Sequence, residues 1–215
     1  FLCRQYEGFN RLSARGLAID TGLARAEEFP RFTDFWLERP AERSERLSVY
    51  ALLDSPSIAG AYRFDIVPGA PLTMDDDAAL YPRKAIERTG IAPLTSMYQQ
   101  GENDRRMATD WRPEIHDSDG LALWTGAGER IWRPLVNPER LAYNAYLDEN
   151  PRGFGLMQRD RDFANYQDDG AFYHRRPSLW VEPRGQWGKG QVALVEIPTV
   201  DETFDNIVAF WHPER

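Results

Sequence analysis

Short apolar runs of β-type residues, each closed off by Pro, Gly, Asn or Ser, follow one another along most of this chain. That rhythm limits the fold more than any other feature. A helix needs a long run with a 3.6-residue apolar period, whereas a strand needs only a few residues between turns. Leu47 to Leu53 and Ile58 to Val67 read as strands separated by Ser-Pro-Ser. Leu121 to Trp124 and Arg130 to Arg133 flank Thr125-Gly126-Ala127-Gly128-Glu129, which reads as a hairpin with a Gly-bearing loop. Leu141 to Leu147, Ser178 to Val181, Gln191 to Ile197 and Ile207 to Trp211 complete the set, with turn chemistry at Pro68-Gly69, Asn137-Pro138, Asn150-Pro151, Pro183-Arg184-Gly185 and Gly188-Lys189-Gly190. Helical signals are few and short: Ala41 to Arg46, Pro82 to Arg88 and Asp160 to Tyr166. The expected fold is all-β, an antiparallel sandwich or twisted two-sheet domain with few short helices, spanning 1–215 without an internal linker.

Composition excludes several function classes. Of the 215 residues, 42% are hydrophobic and 28% charged, enough apolar side chain for a buried core. The net charge of −8 argues against a nucleic-acid binder and against attachment to an anionic membrane, both of which need a basic face. The single cysteine, Cys3, permits no internal disulfide and no Cys-based zinc cluster, and His116, His174 and His212 share no metal-ligand spacing. No apolar run approaches the ~20 residues that span a bilayer. The opening residues, from Phe1, do not read as a leader peptide and carry no initiating Met, which suggests a processed or truncated product. Phosphate-loop and serine-elbow motifs are absent, so neither a metal nor an organic cofactor is called for.

Two residue classes could carry chemistry. Seven Trp, nine Tyr and eleven Phe could stack on sugar rings or simply fill a β core, and Trp111, Trp124, Trp132, Trp187 and Trp211 sit beside polar or Gly-rich segments. Acidic clusters fall in turn contexts: Glu114 to Gly120, Asp148 to Gly153 and Asp201 to Asn206. These are either solvated turn formers or, where two such loops meet across a cleft, the paired carboxyls that glycoside hydrolysis requires. The interleaved Asp160-Arg161-Asp162, Asp168-Asp169 and Tyr173-His174-Arg175-Arg176 read as an ion-pair network or as a proton path through a tyrosine hydroxyl.

Several segments together resemble a known family: Leu12 to Thr21, Glu28 to Phe32, Gly90 to Met97, Arg112 to Gly120, Glu149 to Leu156, Arg175 to Val181 and Val195 to Thr199. They are similar to the osmoregulated periplasmic glucan biosynthesis proteins G and D (MdoG and MdoD, also OpgG and OpgD), over about Leu12 to Pro213. The resemblance implies part of a galactose-mutarotase-like β-sandwich, with the family's C-terminal immunoglobulin-like domain absent from this chain. It also implies a periplasmic location, a β-glucan ligand and transient association with an inner-membrane glucan synthase. The activity implied is inverting hydrolysis of β-1,2-glucan, with Asp205 as acid, Asp117 as base reached through a water and Tyr173, and Glu202 tuning or positioning the acid. Trp111, Trp124, Trp132, Arg152 and Trp187 would bind sugar. The alternative is a non-catalytic glucan-binding scaffold for branching or export. The sequence departs from the family's pattern over Phe1 to Asn10 and at Phe204, where a polar residue is expected.

Overall fold

A computed structural model of the chain describes residues 13–214. The readings made on Cys3 and on Phe1 to Asn10 lie outside them. The described strands are β1 (Ser13–Ala14), β2 (Leu17–Ile19), β3 (Arg31–Leu37), β4 (Leu47–Asp54), β5 (Ile58–Val67), β6 (Thr73–Pro82), β7 (Thr89–Ser96) and β8 (Tyr98–Gln100). They continue as β9 (Ile115–His116), β10 (Gly120–Trp124), β11 (Arg130–Pro134), β12 (Ala142–Glu149), β13 (Gly153–Met157), β14 (Leu179–Val181), β15 (Lys189–Glu196) and β16 (Ile207–Pro213). One short helix, α1 (Phe163–Tyr166), and a 3-10 turn at Tyr173–Arg175 are the helical elements among the described residues. None is long and apolar enough to cross a membrane. Among the described residues the chain is all-β, with antiparallel pairing in each of its sheets, as its turn rhythm dictates.

It divides into two compact units, Ala18–Thr89 and the remainder. In the Ala18–Thr89 unit a four-stranded sheet runs β3-β4-β5-β6. Alternation is clean on β4, where Val49, Ala51 and Leu53 are buried and Tyr50, Leu52 and Asp54 exposed. Phe32, Tyr62 and Phe64 cluster there, with ring centroids 5.2–5.9 Å apart. The edge strand β6 escapes a sequence reading because it carries Asp75-Asp76-Asp77, charges that blunt a sheet edge.

The larger unit is a sandwich. One sheet runs β1-β7-β16-β15-β12 and the other β11-β10-β13-β14. Leu94, Val192, Leu194, Ala209 and Trp211 of the first pack with Leu121, Leu123, Phe154 and Leu156 of the second in one buried cluster. The expected hairpin forms with β10 and β11 paired Trp124 to Arg130, its loop closed by Thr125 N–H to Glu129 O at 2.9 Å. On the outer face of the second sheet glycines let indoles lie flat. A Cβ on Gly153 would sit 2.3 Å from Trp180 Cζ2, and one on Gly120 would sit 2.2 Å from Trp132 Cζ2.

Two of the expected helices are not helices. Ala41 to Arg46 makes a single turn, Ser44 N–H to Ala41 O at 2.9 Å, broken by Arg43 at φ +68°. Pro82 to Arg88 is irregular because its backbone finds partners elsewhere: Arg83 N–H donates to Ser57 O, and Arg88 N–H to the Asp20 carboxylate. The third survives only as α1, capped by Asp162 accepting from Ala164 N–H at 3.0 Å.

Candidate functional site

The site is built around Ser96-Met97-Tyr98, the passage from β7 into β8. Asp117, just past β9, donates its N–H to Met97 O at 2.8 Å, and the Ser118 and Ser96 hydroxyls meet at 2.8 Å. From the other end of the sequence, Asn206 N–H donates to Ser96 O at 3.1 Å. The Asn206 side chain accepts from Tyr98 N–H at 2.8 Å and donates to Tyr98 O and Ile197 O. The loop residues carrying Asp117 and Asp205 are therefore anchored to one three-residue stretch.

The two carboxylates sit in different settings. Asp117 is fully buried, and Arg176, itself 2% exposed, places Nε 2.8 Å from Asp117 Oδ1. The approach is an ion pair without hydrogen-bond alignment. Asp205 is partly exposed, and Arg15 Nη2 lies 3.9 Å from its Oδ2. Phe204 beside it is 75% exposed.

Between these carboxylates in the sequence lies Tyr173, buried in the 3-10 turn, whose hydroxyl donates to Glu202. Burial first, then that hydrogen bond and the charges of Glu202 and Asp117, push the phenol well above its ordinary range, so it is a neutral O–H donor. The Arg176 guanidinium lies 5.2 Å from the Tyr173 ring centre. Glu202 is gripped in turn by Arg112 Nη1 at 2.9 Å, which also holds Asp168 at 2.6 Å, while Arg112 Nη2 holds Asp110 at 2.6 Å. Burial alone would raise the Asp168 carboxyl. Bonds from Ala171 N–H, Arg112 and Gly170 N–H outweigh it and hold the group below the usual carboxylate range. For Asp110 the Arg112 hydrogen bond is the leading cause of a shift in the same direction.

The aromatic residues fall into three settings. Trp111 is 69% exposed next to Arg112. Trp124 and Trp132 share the outer face of the second sheet. Arg130 stacks 3.6 Å over Trp124 with Arg152 5.5 Å away, and Arg159 stacks 3.7 Å over Trp132. Trp187 packs on the sandwich core, 6.2 Å from Trp211 between ring centres. Glu102, Glu114 and Asp160 bring carboxylate oxygens within 4.8 Å of one another. Sequence reading missed Arg112, Arg15 and Gln158. Arg112 reaches partners 56 and 90 residues away, which no local pattern signals.

The family model described as "Periplasmic glucan biosynthesis protein, MdoG" matches residues 6–215. The chain is 71% identical over 209 residues to glucans biosynthesis protein D of Stenotrophomonas maltophilia (strain R551-3), covering 97% of this chain and 39% of that protein. It is 71% identical over 202 residues to a probable glucans biosynthesis protein D of Shewanella oneidensis, covering 94% and 37%. It is 69% identical over 208 residues to glucans biosynthesis protein D of Xanthomonas campestris pv. campestris (strain B100), covering 97% and 39%. It thus spans about two fifths of the length of these relatives. With nearly every residue inside the match, the chain belongs to the periplasmic glucan biosynthesis protein MdoG family.

Proposed function

We propose that this chain is the part of a periplasmic glucan-processing protein that carries its acid and base, and that the reaction is inverting hydrolysis of a β-1,2-glucan. The observation that carries the reading is the shared anchorage of the Asp117 and Asp205 segments on Ser96-Met97-Tyr98, with the Tyr173 hydroxyl held at Glu202 and within the field of Asp117. In this reading Asp205 protonates the glycosidic oxygen as the bond from C1 to that oxygen breaks. Water attacks C1 from the opposite face, and the proton it sheds travels through the Tyr173 hydroxyl to Asp117. Passing that proton on requires the phenol to turn its own O–H away from Glu202. Glu202, fixed by Arg112, positions the hydroxyl. Trp111 offers an exposed ring face to sugar; Trp124 and Trp132 would do so once Arg130 and Arg159 move off their rings, Arg152 would supply N–H donors, and Trp187 stays packed on the sandwich core.

A specific observation favours a second reading. Asp117 is sealed by Arg176 with no exposed surface, as suits a structural carboxylate in a glucan-binding scaffold for branching or export. In that case the domain would present glucan to, or receive it from, an inner-membrane synthase without cleaving it.

Reducing-sugar release and polarimetry of purified β-1,2-glucan separate the two. Hydrolysis with inversion is expected, and Asp205→Asn, Asp117→Asn and Tyr173→Phe should each lose about 100-fold or more in kcat. Full activity in Asp205→Asn overturns the acid assignment, and glucan binding with no release establishes the scaffold.

A further inference from the structure

Gln158 follows β13 and was singled out by no sequence motif. Its side chain is 1% exposed and makes three hydrogen bonds. Nε2 donates to His116 O at 2.9 Å and to Tyr173 O at 3.0 Å. Oε1 lies 2.9 Å from His116 Nδ1. The two carbonyls accept only, which fixes the amide orientation, so Oε1 is the acceptor and His116 Nδ1 carries a hydrogen. His116 Nε2 then meets Glu114 Oε2 at 2.7 Å with a proton between them. The ring is clamped flat against Tyr98, centroids 5.3 Å apart, and edgewise against Tyr166 at 5.2 Å. Gln158 N–H donates to Ser178 Oγ at 3.0 Å, which ties its own backbone to the start of β14.

The consequence lies in what the two carbonyls belong to. His116 O is part of the peptide that precedes Asp117, and Tyr173 O is on the residue whose hydroxyl faces Glu202. One amide therefore joins the strand end bearing one carboxylate to the turn bearing the phenol. Its ring-clamped neighbour keeps it from rotating. We infer that Gln158 is the positioning residue that sets the separation of Asp117 from Tyr173. It touches neither substrate nor the reacting atoms. This rests on the hydrolase reading above.

Displacement of a reacting group by about 1 Å can cost on the order of 100-fold in rate without touching binding. Only glutamine offers both a paired donor and an acceptor at this reach. Glu keeps the shape and the acceptor toward His116 Nδ1 but loses both donations, and Met keeps the length and loses all three bonds. The test compares wild type, Gln158→Glu, Gln158→Met and Asp205→Asn on β-1,2-glucan and on an aryl β-glucoside whose leaving group needs no acid. Cooperative melting is checked first, and rates are taken per folded molecule. Both Gln158 variants should bind glucan within about threefold of wild type and lose roughly 30- to 100-fold in kcat. The loss should persist on the aryl glucoside, where Asp205→Asn recovers. Unchanged kcat in folded Gln158→Met, or recovery of that variant on the aryl glucoside, overturns the positioning role while leaving the hydrolase reading intact. A wild type that releases no sugar overturns both.

Discussion

Arg176→Met should be the most damaging single change near the site that leaves every proposed catalytic side chain in place. Arg176 and Asp117 are 2% and 0% exposed, with Nε and Oδ1 2.8 Å apart. At an effective dielectric near 20 their attraction is about 6 kcal/mol. Not all of it disappears on truncation, because the remaining carboxylate draws in water and other donors. Breaking one side of a buried pair costs about 3–5 kcal/mol. For a chain of this size that lowers the melting temperature by roughly 6–20 °C. The variant also withdraws the guanidinium from the Tyr173 ring, 5.2 Å away. Urea unfolding of wild type, Arg176→Met, Asp117→Asn and the double variant forms a cycle that isolates the pair. The double variant should recover at least about 2 kcal/mol over the sum of the singles, since no charge is then stranded. A loss under about 1 kcal/mol in Arg176→Met, or strict additivity in the cycle, would refute the claim that the Arg176 guanidinium compensates the buried Asp117 carboxylate.

Two further outcomes follow from the geometry. Asp110 and Asp168 have carboxyls held below their ordinary value of 3.8, so the stability they contribute is present above that value and lost as pH falls through their depressed values. Arg112→Met should cost about 2–3 kcal/mol at pH 7, and the gap from wild type in pH-dependent unfolding should close below about pH 4; a gap independent of pH would rule this out. Gly153→Ala must push Trp180 off β13, since a Cβ there lies 2.3 Å from the ring. It should cost about 1–3 kcal/mol and red-shift the tryptophan emission, whereas Gly170→Ala, whose Cβ meets nothing nearer than 3.6 Å, should leave the emission unmoved.

The strands that were legible in the sequence are those whose own residues decide them. β4, β5 and the β10–β11 hairpin have apolar content and turn residues within each segment, and their bounds fall within a residue or two of expectation. The strands that were not legible are decided by neighbours. β13 is Gly-Phe-Gly-Leu-Met, a poor strand until Trp180 covers its glycines, and β6 is acidic because it is an edge. The site divides in the same way. Asp117, Asp205, Tyr173 and Glu202 were singled out by resemblance to a family, and the acidic turns holding three of them were visible as such. Arg112, Arg15 and Gln158 owe their importance to partners 40 to 190 residues away: Gln158 to His116 at a separation of 42, Arg112 to Glu202 at 90, and Arg15 to Asp205. No spacing rule reaches that far.

The bond between Tyr98 and Asn206 has a temporal meaning as well as a spatial one. The partners are 108 positions apart, so a ribosome that has made β7, β8 and everything through β15 has still not supplied the amide that Tyr98 N–H and O await. Until Asn206 emerges, that seam must stay hydrated or borrow another partner, and β16 cannot lock beside β7. Pulse-labelling hydrogen exchange on stalled nascent chains should therefore find the Tyr98 amide unprotected up to that length and protected soon after. Closure of the Tyr98–Asn206 seam would be among the last events in making this part of the protein.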